Sequence, residues 1–138
     1  MIKMKIYHIL FIGVYMTEEK TIDIQLIAIT ISLLTTVVSI ILTYNQKLEL
    51  QNKKTIFMPK TTLKITKINR IVILLITLTF LYVNFELYKI SKVEGEDLKP
   101  YKLQIFSSIL VSIASIVTLY VILNSGKETV SDVENPIV

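Results

Sequence analysis

The sequence predicts an all-α integral membrane bundle of three antiparallel transmembrane helices. Hydrophobic residues make up 52% of the 138 positions and charged residues 19%, below the ~25% charged share of ordinary soluble domains. The charges cluster and leave three long stretches nearly bare. Each stretch has about the length needed to cross the hydrocarbon core of a bilayer.

The first span is 24–44. Its 21 residues carry no charge and cover about 31 Å as a helix, against a core of ~30 Å. It holds twelve Ile, Leu or Val residues, which favour insertion by roughly 4–7 kcal/mol before the hydroxyl residues are subtracted. The second span is 68–88. Its uncharged part, 71–85, covers only about 22 Å, so the full length takes in Arg70 and Glu86. Both lie near the ends, where a long side chain reaches the interface. The third span, 103–123, is uncharged and follows Pro100; proline suits a first helical turn because its missing N–H would have no partner there. Tyr44 and Tyr120 fall at one membrane face, Tyr88 and Tyr101 at the other, as interfacial aromatics do. Residues 16–125 thus form the transmembrane domain.

The connection between the second and third spans is short and carries Gly95, which predicts a helical hairpin. The first connection is a basic loop over 45–67 containing Pro59. Residues 126–138 read as an acidic disordered tail, with Glu128, Asp132, Glu134 and Pro136. Residues 1–15 hold Lys3 and Lys5 ahead of an apolar run too short to span. No A-x-A-like cleavage site follows them. The string Ile12-Gly13-Val14-Tyr15-Met16 is encodable with AGGAGT shortly before ATG, a good ribosome-binding site. We therefore expect translation to start at Met16 and residues 1–15 to be a mistranslated leader. The alternatives are a short N-terminal apolar segment and a cleaved signal.

Seven basic residues, Lys47, Lys53, Lys54, Lys60, Lys64, Lys67 and Arg70, stand in or beside the first connection against one acid, Glu49. Around the second connection Lys89, Lys92, Lys99 and Lys102 are offset by Glu86, Glu94, Glu96 and Asp97. The positive-inside rule then places the 45–67 loop in the cytoplasm, with the N-terminus out and the C-terminus in. Abundant Ile, Lys, Asn and Thr suit an AT-rich bacterial gene, and hence a bacterial plasma membrane.

Catalysis has no foothold. Cysteine is absent, His8 is the lone histidine, and Gly13, Gly95 and Gly126 are far apart. These exclude thiolate chemistry, paired-histidine metal sites and phosphate-cradling glycine loops. Neither H-E-x-x-H nor G-x-S-x-G occurs. We expect no enzyme activity, no cofactor, no metal and no nucleic-acid partner; the net charge of +4 comes from one loop between apolar spans.

Packing faces carry the remaining signal. On the first helix Gln25, Ser32, Ser39 and Gln46 recur at seven-residue spacing, with Ala28, Thr35, Thr36 and Thr43 beside them. The third helix carries Gln104, Ser107, Ser108, Ser112, Ala114, Ser115 and Thr118. Small residues let helices approach closely in lipid, and hydroxyls bond across the contact. These stripes are expected to pack the first and third helices together; an oligomeric or partner interface and a water-filled pore are the alternatives. Asn84 reads as interhelical glue, and Glu86 as an interfacial carboxylate paired with Lys89. Lys60, Lys64 and Lys67 would share one face of a helix. With Lys53, Lys54 and Arg70 they form a cluster able to attract anionic lipid by about 1 kcal/mol per residue. The function expected is that of a non-catalytic accessory or assembly component whose partners are the lipid bilayer, a second copy or another membrane protein. A holin-like pore former and an immunity-type protein against a membrane-active peptide are the alternatives.

Overall fold

A computed structural model describes the backbone of residues 2–125 and the side chains of residues 18–124. The 126–138 tail lies outside the described residues, as do the side chains of the 1–15 segment. The described chain is all-helical: α1 spans Ile2–Leu50, α2 Pro59–Glu94 and α3 Lys99–Ser125. All three are long and apolar enough to cross a membrane, over Glu18–Leu50, Pro59–Glu94 and Lys99–Asn124.

The helices outrun the apolar spans at both ends. Hydropathy marks only the part of a helix that lipid could cover. The backbone stays helical until something stops it, and Lys, Gln, Glu and Leu are good helix formers. Hence 45–50 and 59–67, expected as loop, are helical, and the connection shrinks to residues 51–58. Asn52 ends α1 with a φ of 55°, a left-handed conformation asparagine tolerates. The Lys53 N–H then reaches back to the Leu48 carbonyl at 2.9 Å. Pro59 opens α2, where its fixed φ costs nothing. Gly95 ends α2 with a φ of 73°, so the Glu96 N–H bonds the Ser91 carbonyl at 3.0 Å.

α2 packs against both neighbours, whereas α1 and α3 do not touch each other among the described residues. This corrects the expectation that the two polar stripes join α1 to α3. The reason lies in α2, which carries two buried rows. Thr62, Asn69, Ile76, Val83 and Ile90 recur every seven residues, and Arg70, Thr77 and Ser91 keep the same period one position later. Rows one position apart point in directions about 100° apart on a helix. Asn69, in the first row, meets α1; Asn84, in line with the second, meets α3, while Arg70, nearer the connection, lines a cleft with α1.

The buried row of α1 is Thr21, Ala28, Thr35 and Leu42, again at seven-residue spacing. A seven-residue period keeps a seam facing its partner when helices supercoil gently around each other. On α3 the inward set, from Tyr101 through Ile105, Ser108, Ser112, Ser115 and Leu119 to Ile122, steps by four and three. The opposite face, with Leu103, Phe106, Leu110, Ile113, Val117 and Tyr120, is exposed, as a lipid-facing surface would be.

Candidate functional site

Buried apolar side chains are few, and asparagines hold the helices in register. Asn45, 2% exposed, sits near the end of α1. Its Oδ1 accepts the backbone N–H groups of Ile56 at 2.8 Å and Phe57 at 3.0 Å, and its Nδ2 donates to Thr62 Oγ1 at 3.3 Å. One side chain thereby ties α1, the connection and α2 together. Asn69 Nδ2 donates to Ser39 Oγ at 3.0 Å and to the Thr35 carbonyl at 3.5 Å. Asn84 Nδ2 donates to Ser108 Oγ and to the Gln104 carbonyl. Such bonds each contribute about 0.6 kcal/mol in a bilayer, reaching about 1.7 kcal/mol at most.

The residues singled out from the sequence distribute unevenly around these clamps. Ser39 and Ser108 are direct partners of asparagines. Ser112 is buried, and its hydroxyl has no hydrogen-bond partner among the described residues. Gln25, Ser32 and Ser115 are half-buried, while Thr36 and Gln104 are exposed. Thr36 returns its hydroxyl to the Ser32 carbonyl at 2.9 Å. Glu86 pairs with Lys89 at 3.2 Å, a partly exposed contact on one helix, for which about 0.3–0.5 kcal/mol is usual. Sequence reasoning missed Asn45 and Asn69. Both stood in what read as a loop or its edge; the signal available was their polarity beside seven-residue rows of small residues.

The basic cluster divides in two. Lys53 and Lys54 are exposed on the connection. Lys60, Lys64 and Lys67 lie on α2 and line one shallow surface depression with Leu63. Arg70 departs from the group: it is 8% exposed and lines a cleft of about 610 Å³ between α1 and α2. Ser32, Thr36, Ser39, Tyr44 and Lys47 of α1 line the same cleft. Arg70 is thus buried against α1. The cause is helix continuity: because α2 starts at Pro59, Arg70 lies three turns inside it, one residue after Asn69 in the interface.

A second, smaller cleft of about 260 Å³ lies between α1 and α2 farther from the connection, lined by Ala28, Ile31, Ile76 and Thr79 among others. Among the described residues no three His, Cys, Asp or Glu side chains gather to hold a metal ion. No protein-family model, curated protein or solved structure matches the chain.

Proposed function

We propose that the chain is a non-catalytic, multi-pass protein of a bacterial plasma membrane that acts through helix–helix association, as an accessory or assembly component. Its three helices run antiparallel, and the 51–58 connection with its flanking lysines faces the cytoplasm. Descending contacts support the antiparallel order: Asn45 meets Thr62, and Ser39 meets Asn69. The excess of lysine beside that connection supports the orientation.

One observation carries the association reading. Among the described residues α2 lies between α1 and α3, so each outer helix keeps a face that no described helix covers. On α1 that open side includes Thr36 and Thr43, next to half-buried Ser32 and Ser39, all small enough for close helix approach. A pore is less well supported. Thr36, Thr43 and Thr118 each commit their hydroxyl proton to a carbonyl of their own helix, as helix-embedded threonines do, leaving less to line a water path.

Induced expression of the intact chain, followed with a membrane-potential dye, tests the reading. An accessory component leaves potential and growth unchanged. Depolarisation and death would establish the holin-like alternative instead, and raised tolerance to a membrane-active peptide would establish the immunity-type one.

A further inference from the structure

We infer that the outward face of α2 binds an anionic phospholipid, its phosphate headgroup held by Lys64 and Lys67 and its acyl chain laid along Ile71 and Leu78. The basic residues that the sequence groups together are not one site. Lys53 and Lys54 lie on the connection, and Arg70 turns toward α1. Lys60, Lys64 and Lys67 line one depression, with Thr61 and Leu63 and with no acid. The ion pair among the described residues, Glu86 with Lys89, stands at the far end of α2. The three ammonium groups are thus left for an anion from outside the described chain.

Helical geometry joins these lysines to an apolar strip. At about 100° per residue, Lys60, Lys64, Lys67, Ile71 and Leu78 fall within roughly 60° of one another. Thr62 and Asn69, which meet α1, point almost the opposite way. Asn84, which meets α3, lies about 130° off. Ile71 and Leu78 are each 42% exposed, so no described helix covers this face. It is cationic over its outer turns and apolar below, the same division that a phospholipid carries. Depth then selects among the lysines. The second span opens at Ile68; Lys67 stands about 1.5 Å and Lys64 about 6 Å outside it along the helix, within a headgroup layer roughly 5–7 Å deep. Lys60 is about 12 Å out and reaches that layer less. Side chains on a helix lean toward its N-terminus, which carries the Lys67 ammonium out of the hydrocarbon and among the phosphates. Basic residues at this level attract anionic lipid. The site rests on the membrane reading. It lies on α2 away from α1, and so apart from the Thr36 side of α1 that is offered to another helix.

The test places the full chain in nanodiscs of phosphatidylcholine containing a minor fraction of phosphatidylglycerol, and native mass spectrometry reads the lipid kept by each chain. Phosphatidylglycerol is retained over phosphatidylcholine. Lys64→Gln and Lys67→Gln each lower that retention about fivefold. Lys60→Gln lowers it less, and Lys64→Arg keeps it. Lys53→Gln combined with Lys54→Gln leaves it unchanged. Lys60 and Lys64 are exposed and Lys67 half-buried, so these variants leave the helix contacts in place. Equal retention of the two lipids overturns the proposal, as does a loss that follows Lys53 and Lys54 in place of Lys64 and Lys67. Displacement of the lipid by inorganic phosphate would assign the lysines to free phosphate. A zero-length crosslink from Lys64 to Asp132, with lipid retention unmoved by Lys64→Gln, would assign them to the acidic tail; both results reject a lipid site. A chain that does not enter nanodiscs at all rejects the membrane reading itself, and this site with it.

Discussion

Asn45 does more than the other asparagines because its three partners are otherwise hard to satisfy. Two are backbone N–H groups of the connection, and an N–H buried without a partner costs about 1–3 kcal/mol. Asn45→Ala should therefore destabilise the fold by about 1–3 kcal/mol in detergent unfolding. Asn84→Ala, which removes one interhelical clamp, should cost about 0.6–1.7 kcal/mol. Equal and negligible effects would show that the asparagines do not hold the helices. Ser112 separates volume from polarity. Its hydroxyl is buried with no hydrogen-bond partner among the described residues, so Ser112→Ala should be neutral or stabilising. Ser112→Leu should overpack the α2–α3 contact and cost about 1–3 kcal/mol, and Ser108→Leu should act likewise by displacing the partner of Asn84. Val117→Leu, on the exposed side of α3, should change little. Unfolding midpoints across these six variants read the predictions at once.

Among the elements, α2 touches both neighbours, and these do not touch each other among the described residues. The chain has no native cysteine, so pairs can be introduced cleanly. Ala28→Cys with Ile76→Cys, which line one cleft, should crosslink rapidly with a short oxidising reagent. Thr35→Cys with Thr118→Cys, on α1 and α3, should not. A fast α1–α3 crosslink would contradict the arrangement. Much of this level was legible in the sequence. The three helices, their order, the turn at Gly95 and the pairing of Glu86 with Lys89 follow from apolar length and local chemistry. Helix ends were less legible, because hydropathy falls where water begins and not where the helix stops. The central place of α2 was obscured for another reason. Its two inward rows mix Thr, Asn and Arg with Ile and Val, while the small-residue stripes on α1 and α3 drew the eye to a direct contact between them. In a bilayer, where lipid is as apolar as leucine, polar and small residues mark packing faces, and α2 carries two such faces.

Seen whole, the molecule is lightly cored. Ala28, Leu42, Ile76, Val83, Ile90 and Ile122 are its buried apolar residues among those described, while many Ile, Leu, Val and Phe side chains face outward. In water that surface would drive aggregation; in lipid it is solvated. The polar clamps then set register, and the open sides of α1 and α3 are where another helix or a lipid can dock. The candidate site was only partly legible. Arg70 stood out as a charge near an apolar span, but its depth depends on where α2 begins, and that is fixed by Asn45 tying the connection down, a long-range contact without a local sequence signature.

Crosslinking in native membranes, with recovery on a C-terminal tag and mass spectrometry, tests association most directly. The account predicts a second membrane protein recovered with the chain in fixed proportion, and reduced in a Thr36→Leu variant that still folds. Recovery of the chain alone, or of self-crosslinked ladders without a second protein, would contradict it.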